Sequence, residues 1–589
     1  MCGIHCTVSS HGYNSSLSRS TTTFLSNRGP DCIQEHRLEI RGPTKPTQSV
    51  YVSFVSAVLS LRGSKIISQP LIDHASGSVF CWNGEAWKLN NEVVTNNDSE
   101  AVFSLLLHAA TRARDLPETS AYHEVANALS HVTGPYAFVF YDGFNRKLYY
   151  GRDCLGRRSL VKRIDDTGDV TLSSVCDAGK GEGWLEVEAD GVYIVEPTIK
   201  DRKPTPERYT IETFSTSHIP RVYQDQSKIS FPYLVRSSPC MPNLELTCLQ
   251  LLPYTRLDKR LPSSPEPPQL HMQSNAVALL ETALRAALAL RIRNIRQELS
   301  DKLRQQIKPT TNIAILFSGG LDCTVLARLA HDILPLTEAI DLLNVAFENP
   351  RIHKAECSPY GSCPDRATGK ASYDELLRTC PNRTWRLVEI DVPYTETLAH
   401  RQIVMSLIHP HNTEMDLSIA YALYFASRGS GTMSDLATDT TYSYTTPARV
   451  LLSGLGADEL FGGYQRHATA FSRQGFPGLL DELELDINRL GKRNLGRDDR
   501  VMSNWGREVR FPYLDEDLVG WALAAPVWEK CGFGQVPCVV RPHNGEGSIE
   551  LEPQKLVLRL LATKLGMRNV AKERKRAVST KSRFAAGYM

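Results

Sequence analysis

Cys2 directly follows the initiator methionine, and a side chain this small normally allows Met1 to be removed. The mature chain would then begin with Cys2. An N-terminal α-amine has a pKa of about 7.7 to 8.0, so it is partly neutral at cellular pH and can act as the base for its own thiol. A cysteine at this position can also be a chance residue. In the company of the residues described next, we predict that Cys2 is the nucleophile of an acyl transfer that needs no histidine.

Donors for the oxyanion of such a reaction follow an apolar run at residues 78–82. Asn83 offers a side-chain amide, and Gly84 offers a backbone N–H that no Cβ obstructs. We predict that both lie on a turn after a strand. An ordinary Asn-Gly turn is the other interpretation of this pair.

Three charged residues match the charges of an amino-acid amide substrate. Arg62 can pair with an α-carboxylate through its planar guanidinium, and Glu85 and Asp98 can accept the α-ammonium. Taken singly, each is also compatible with a surface position. Together they predict a pocket for an amino acid.

A second kind of chemistry is indicated by SGGLDC at residues 318–323, which follows an apolar run at 313–317. Two glycines and a helix N-terminus bring N–H groups and partial positive charge to one place, so phosphate is the expected ligand. Neither common nucleotide-binding pattern, GxxxxGK[ST] or GxGxxG, fits this segment. Asp322 would repel phosphate unless a divalent metal bridged the two.

A partner for Asp322 lies in SGLGADELFGGY at residues 453–464, which follows another apolar run. We predict that Asp322 and Asp458 hold Mg²⁺ against pyrophosphate at the carboxyl ends of adjacent parallel strands, where open α/β sheets bind ligands. RFPYLD at 510–515 and the basic residues 572–576 offer an acid and a cation for an anionic intermediate.

The elements that must position these residues differ along the chain. Residues 1 to about 195 contain short β-type runs separated by turns, with one helical run at 98–108. Residues 204–270 are rich in proline, and 274–306 have the spacing of a core-facing helix with Ser274 as its N-cap.

Beyond this helix, apolar strand-like runs alternate with helical patterns, which predicts a parallel sheet with helices on its faces. Residues 348–384 interrupt the alternation and are predicted to be an irregular surface insertion. The basic segment 564–583 is compatible with a solvated tail, a nuclear address or a phosphate contact.

The composition limits the partners of this 589-residue chain. Lysine and arginine number 67 and aspartate and glutamate 65, so the net charge of +2 gives no global field for nucleic acid or an anionic membrane. The start of the sequence lacks a secretory pattern, and no apolar run approaches the roughly 18 residues of a membrane span. We predict a cytoplasmic protein, with a nuclear location left open, that binds neither nucleic acid nor membrane.

Five segments in this order resemble the class II glutamine amidotransferase domain. They are MCGI at residues 1–4, SNRGPD at 26–31, LRG at 61–63, NGE at 83–85 and NDSE at 97–100. The resemblance implies that Cys2 attacks the side-chain amide of glutamine and releases ammonia and then glutamate. It also implies that Asn83 and Gly84 are oxyanion donors and that Arg62, Glu85 and Asp98 bind glutamine. RGSK at 62–65 departs from the family, in which arginine is usually followed by Leu-Ser-Ile.

SGGLDC resembles the pyrophosphate loop of ATP-cleaving, AMP-forming ligases, and SGLGADELFGGY with RFPYLD narrows the resemblance to asparagine synthetases and their relatives. The resemblance implies ATP and Mg²⁺ as cofactors, adenylation of the aspartate β-carboxylate, and displacement of AMP by ammonia that arrives through an internal tunnel. It implies Mg²⁺ ligation by Asp322 and Asp458, a catalytic cation at Lys575 and a supporting acid at Asp515. The implied nucleotide-binding residues are Phe317, Ser318, Gly319, Gly320, Asp322, Cys323, Val345, Ser453 and Gly454.

The resemblance implies an α/β protein with two folds in series. An N-terminal Ntn-hydrolase αββα sandwich is followed by a parallel-sheet PP-loop domain of the adenine nucleotide alpha hydrolase-like type. The expected boundaries are 1–195 for the amidotransferase domain, 196–272 for a Pro-rich linker, 273–570 for the ATP-binding domain and 571–589 for a basic tail.

Two residues depart from the synthetase pattern. Leu455 stands where synthetases usually have a glutamate, and an aliphatic side chain neither accepts a proton nor pairs with ammonium. Cys323 replaces a serine and is a weaker hydrogen-bond donor.

Two functions therefore remain open. One is a glutamine-hydrolysing, ATP-dependent amide ligase that makes asparagine from aspartate; the other is a divergent protein with weak or no synthetase activity, which acts on another carboxylate or has a regulatory or scaffolding role. The expected partners are small molecules: glutamine, ATP and a carboxylate.

Overall fold

The structure is a computed structural model. It describes residues 2–13, 17–41, 49–177, 183–197, 214–222, 250–264, 266–296, 310–350, 359–435, 440–541 and 548–574. The chain divides into two units. The first contains Met1–Pro253, Met405–Asn412 and Leu490–Gly506, and the second contains Tyr254–Val404, Thr413–Arg489 and Arg507–Met589. Each unit thus combines segments that are distant in sequence.

Two sheets form the framework of the first unit. Sheet A has six strands, in the spatial order Leu185–Glu186, Val161–Ile164, Val170–Ser173, Gly3–Ser9, Ser49–Val58 and Cys32–Arg41. Sheet B has seven, in the order Gln250–Leu251, Ser215–Val222, Gly191–Glu196, Lys147–Arg152, Tyr136–Asp142, Ser78–Gly84 and Leu71–Asp73. Neighbouring strands are antiparallel, except that Gln250–Leu251 runs parallel to its neighbour. A small third sheet joins Lys88–Leu89, Glu92–Val93 and Val132–Thr133.

The two sheets form the inner layers of a four-layer arrangement. Along Ser78–Gly84, side chains alternate between faces, so Val79 and Cys81 pack with apolar residues of sheet A, while Phe80 and Trp82 pack with helices. The helices over sheet B are Asp98–Ala113 and Glu118–Ala128, and Arg19–Arg28 packs on sheet A. The predicted αββα sandwich is therefore confirmed.

The second unit is built on sheet C. Its seven strands have the spatial order Thr440–Thr445, Ser430–Asp435, Trp385–Val392, Ile340–Phe347, Ile313–Leu316, Val450–Leu452 and Glu508–Arg510. From Trp385–Val392 onwards the strands are parallel, as predicted, and the sequence did not reveal the antiparallel hairpin at the other edge. The strand order reverses between Ile313–Leu316 and Val450–Leu452, which is the position where open α/β sheets bind ligands.

Helices flank sheet C. Among the described residues, the helices that lie wholly in the second unit are Asn275–Ile292, Leu321–Ile333, Pro364–Thr379, Tyr394–Ala399, Glu414–Arg428, Ala457–Leu460, Glu516–Ala524, Leu556–Lys564 and Arg568–Lys572. Two further helices, Arg401–Ile408 and Gln465–Arg493, begin in the second unit and end in the first. The remaining regular elements are Leu495–Ser503 in the first unit, the hairpin of Cys538–Val540 with Ile549–Leu551, and the short 3₁₀ turns Leu129–His131, Pro512–Leu514 and Val527–Glu529. The helix predicted for 274–306 starts after Ser274 but already ends at Ile292.

Residues 351–358 of the predicted irregular insertion 348–384 lie outside the described residues. Within the described part the prediction is wrong for Pro364–Thr379, which is an α-helix of 16 residues. Its buried positions have helical spacing but, apart from Leu376, are occupied by polar or small residues. They are Arg366, Gly369, Ser372, Glu375 and Leu376. A helix that buries so few apolar side chains gives no hydrophobic periodicity for sequence analysis to detect.

Within the described part of the chain, no helix is long and apolar enough to cross a membrane.

Candidate active sites

Cys2 lies immediately before the interior strand Gly3–Ser9 of sheet A and is only 7% exposed. Its backbone N–H donates to Oδ1 of Asn83 at 3.0 Å, and its carbonyl oxygen accepts from Nε of Arg28 at 3.2 Å. The backbone of the predicted nucleophile is therefore held at both ends, which restricts the directions open to its thiol.

Asn83 and Gly84 are the last residues of the strand Ser78–Gly84 and pair with Ala137 and Tyr136. The predicted turn is wrong because strand pairing overrides the turn preference of an Asn-Gly pair. Glycine is needed at position 84 because a Cβ there would lie 2.5 Å from the Pro135 carbonyl oxygen.

The side chain of Asn83 is fully buried, and its Nδ2 has no hydrogen-bond partner among the described residues. Leaving a buried donor unpaired costs about 1–3 kcal/mol, a cost that a bound ligand can remove. Asn83 therefore has the properties of an oxyanion donor, since one side of its amide holds Cys2 and the other side is available to a substrate.

The three residues predicted to bind glutamine are all buried. Arg62 Nε lies 2.7 Å from Glu85 Oε2, and Arg62 Nη1 donates to the Ala86 carbonyl oxygen at 3.1 Å. Asp98 Oδ2 accepts from Trp82 Nε1 at 3.0 Å and from Ala86 N at 2.8 Å. These contacts hold one cation and two anions against residues 85 and 86, which follow Asn83, so the charges of an amino acid can be matched there.

The two predicted phosphate-binding loops follow Ile313–Leu316 and Val450–Leu452, which pair directly and in parallel. A Cβ on Gly454 would lie 2.8 Å from Cβ of Asp322, so the loops are in contact. Gly319 has φ of +77°, and a side chain there would overlap the Thr368 carbonyl group. The loop backbone thus takes a shape that requires glycine.

The other predicted nucleotide-binding residues lie around these loops. Phe317 is buried and is held by Leu343 and Asn344 of the neighbouring strand, on which Val345 is half-buried. Cys323 Sγ donates to the Gly320 carbonyl oxygen at 3.3 Å and lies 3.8 Å from Ser318 Oγ. Burial raises the pKa of Cys323, so it remains a neutral thiol. Ser453 N donates to the Arg510 carbonyl oxygen at 3.0 Å.

Lys555 joins the two loops, and sequence analysis missed it. Its Nζ lies 2.8 and 2.6 Å from the two carboxylate oxygens of Asp322 and 2.7 Å from Oδ1 of Asp458. Burial alone would lower the pKa of Lys555, but Asp322 and Asp458 raise it, so the ammonium is charged. Gly463 leaves room for this contact, since a Cβ there would overlap both Asp458 and Lys555. No spacing rule links Lys555 to the loops, so no sequence signal could have found it.

The Asp322 and Asp458 carboxylates fit a Mg²⁺ site. Mg²⁺ is commonly held by one or two carboxylates together with substrate phosphates. Both carboxylates converge on one cation position, where the ammonium of Lys555 lies. A metal bound to both carboxylates would have to share this position with Lys555 or displace it.

Several other residues of the synthetase pattern have distinct surroundings. Lys575 lies outside the described residues. Asp515 accepts from Arg291 Nη1 at 2.7 Å and caps the helix Glu516–Ala524. Leu455 is half-buried. The nearby Glu459 accepts from the Tyr464 hydroxyl at 2.6 Å, and burial and the charge of Asp458 raise its pKa to about 7.

Comparison with known proteins gives consistent matches. The family model "Asparagine synthase" matches residues 436–481 and 474–585. The chain is 32% identical to asparagine synthetase domain-containing protein 1 of Mus musculus, over 99% of this chain and 97% of the mouse protein. It is 24% identical to a probable asparagine synthetase (glutamine-hydrolyzing) of Acanthamoeba polyphaga mimivirus, over 89% of this chain and 78% of the viral protein.

Among solved structures, one match is the glutamine phosphoribosylpyrophosphate amidotransferase of B. subtilis complexed with ADP and GMP. The match covers 60% of this chain and 69% of the amidotransferase chain, with 14% identity and a TM-score of 0.24. The similarity to the mouse protein extends across both units.

Proposed function

This chain belongs to the asparagine synthase family, and on that basis we propose that it is a glutamine-hydrolysing, ATP-dependent amide ligase. The proposed products are AMP, pyrophosphate, glutamate and, with aspartate as the acceptor, asparagine. The observation that carries the proposal is the buried Nδ2 of Asn83 beside Cys2, which has no hydrogen-bond partner in the described part of the chain.

In the proposed glutaminase reaction, Met1 has been removed and the α-amine of Cys2 takes the thiol proton. The thiolate attacks the side-chain carbonyl carbon of glutamine, and Nδ2 of Asn83 and the backbone N–H of Gly84 donate to the oxyanion. The amine returns the proton to the leaving nitrogen, which departs as ammonia. Water then hydrolyses the thioester to glutamate, while Arg62, Glu85 and Asp98 hold the amino-acid end of the substrate.

In the proposed synthetase reaction, the loops at 318–323 and 453–458 bind the phosphates of ATP. Asp322 and Asp458 would hold Mg²⁺, which neutralises phosphate charge when bound. Lys555, which contacts both carboxylates, would share its position with the metal or be displaced by it. Lys575 is the proposed cation facing the acyl-adenylate. The carboxylate oxygen of the acceptor attacks the α-phosphorus and pyrophosphate leaves. Ammonia then displaces AMP.

Leu455 favours a second candidate function. An aliphatic, half-buried side chain occupies the position of the usual acceptor-handling glutamate. In this candidate the chain binds glutamine and nucleotide but makes little or no asparagine, and it acts on another carboxylate or as a regulatory or scaffolding protein.

One experiment separates the two candidates. The purified full-length chain is supplied with glutamine, ATP, Mg²⁺ and aspartate, and glutamate, pyrophosphate and asparagine are quantified. The ligase should form the three in equal amounts, and Cys2→Ala should stop glutamine use but leave ammonia-dependent pyrophosphate release intact. Glutamate formation without aspartate-dependent pyrophosphate would support the second candidate, and a screen of other carboxylates would then show whether another acceptor restores pyrophosphate release. Equal loss of both activities in Cys2→Ala would contradict the two-site scheme.

A further inference from the structure

The helix Leu495–Ser503 is buried along all 9 residues although it contains four charged ones. It belongs to the first unit, although in sequence it lies between two strands of sheet C. Buried charges are stable only when other groups compensate them. The partners of these charges therefore show what the helix does in the first unit.

Asp499 is the charge that faces the glutaminase site. Its Oδ2 accepts from Arg28 Nη2 at 2.8 Å and from Ser159 N at 3.0 Å, and its Oδ1 lies 3.5 Å from Arg158 Nη1. The side chains of Asp499 and Arg28 are 0% and 1% exposed. The ion pair is thus shielded from water, and the attraction between its charges is stronger than it would be at an exposed site.

Arg28 connects this pair to the predicted nucleophile. Its Nε donates to the Cys2 carbonyl oxygen at 3.2 Å, and its Nη1 donates to Ser503 Oγ at 2.5 Å. The guanidinium is rigid and planar, so the anchoring of Nη1 and Nη2 on Leu495–Ser503 also sets the direction of Nε. The position of the Cys2 backbone thereby depends on Asp499.

We propose that Asp499 is a positioning residue for Cys2, acting through Arg28 to hold the nucleophile in its reactive direction. The inference rests on the proposed role of Cys2 in glutamine hydrolysis. It also means that the glutaminase site is completed by a residue far outside the segment 1–195. In sequence, Asp499 lies between the phosphate loop at 453–458 and the strand Glu508–Arg510 of sheet C.

The full-length chain with Asp499→Asn tests the proposal. Asparagine preserves shape but removes the charge that orients Arg28. We expect kcat for glutamine hydrolysis to fall at least about tenfold, because small misplacements of reacting groups are costly. KM for glutamine should stay within about threefold, since Arg62, Glu85 and Asp98 are unchanged. Asp498→Asn is the matched control, because Asp498 is equally buried on the same helix but pairs with Arg497, at 2.7 Å.

Titration with 6-diazo-5-oxo-L-norleucine, followed by mass analysis of the N-terminal peptide, separates positioning from misfolding. Asp499→Asn should still label one Cys2 per chain, but more slowly than Asp498→Asn does. A loss of kcat matched by an equal loss of titratable Cys2 would mean a purely structural role and would overturn the proposal. Equal kcat in the two variants would overturn it as well.

A milder variant covers the case in which Asp499→Asn does not fold. Ser503→Ala removes one anchor of Arg28 while leaving the ion pair, and we expect it to lower kcat by about threefold at unchanged KM. An unchanged kcat in Ser503→Ala would overturn the proposal. If the wild-type chain neither hydrolyses glutamine nor labels at Cys2, the proposed nucleophile itself fails and the positioning role falls with it.

Discussion

The ammonium of Lys555 lies 2.7 Å from Oδ1 of Asp458. The same ammonium also contacts both carboxylate oxygens of Asp322. Two half-buried carboxylates from separate loops therefore share one buried cation, and the three groups together carry one net negative charge. This arrangement brings the two predicted metal ligands together on one cation.

The first prediction concerns this shared cation. Lys555→Met leaves two carboxylates facing each other, so Mg²⁺ should bind the nucleotide-free protein at least about tenfold more tightly. Isothermal titration with MgCl₂ measures this, and Asp458→Asn should change the affinity in the opposite direction. Lys530→Met is the control, because Lys530 is equally buried and donates to the Ala522 carbonyl oxygen. Unchanged Mg²⁺ affinity in Lys555→Met would show that Asp322 and Asp458 are not metal ligands.

The second prediction concerns the oxyanion donor. Asn83→Ala removes Nδ2 and should lower kcat for glutamine hydrolysis by about 10²- to 10³-fold, with little change in KM. Steady-state glutamate release checks this. Asn127→Ala, on the exposed face of Glu118–Ala128, is expected to have no effect. A change in KM alone would assign Asn83 to substrate binding instead.

A third prediction concerns Leu455. Leu455→Glu restores the carboxylate that synthetases usually have at this position, and we expect aspartate-dependent pyrophosphate release to rise several-fold. Leu455→Gln has the same shape without the charge and should not have this effect. If the two variants behave alike, the missing carboxylate does not limit the reaction.

A fourth prediction concerns Asp515, which pairs with Arg291 in a buried contact and caps a helix. Asp515→Asn should lower the free energy of unfolding by about 3 kcal/mol, because it leaves a buried arginine without its anion. Chemical denaturation measures this loss. Turnover per folded molecule should be unchanged; a loss of turnover at full stability would instead support the acid role that the family resemblance implies.

The fifth prediction concerns pH. Burial alone would raise the pKa of Glu186, but Arg500, His411 and Arg152 lower it from 4.5 to about 2. A carboxyl whose pKa is lower in the folded state stabilises the protein above its unfolded pKa, and this contribution is lost as the pH falls from about 4.5 towards 2. Glu186→Gln should therefore be less stable than wild type at pH 7, by up to about 3 kcal/mol.

Thermal unfolding between pH 7 and pH 3 checks this prediction, and the difference between wild type and Glu186→Gln should shrink as the pH falls. Glu188→Gln is the control, because Glu188 pairs with Lys492 at an exposed site where ion pairs contribute about 0–1 kcal/mol. A difference that stays constant with pH would contradict the lowered pKa.

Local patterns in the sequence were sufficient for much of the fold. The run at 78–82 became the strand Ser78–Gly84, and the helical run at 98–108 became Asp98–Ala113. These elements bury apolar side chains at their own periodicity, so the sequence displays them directly. Pro364–Thr379 was missed because it buries mainly polar and small residues.

The sequence by itself determined which residue types stand at the ends of which strands, including Cys2 and the aspartates Asp322 and Asp458. Only the tertiary structure decided that Lys555 joins those aspartates and that Asp499 holds Arg28 against Cys2. The physical reason is that an ion pair depends on distance in space. Partners from remote segments have no fixed spacing along the chain, so folding alone brings them together.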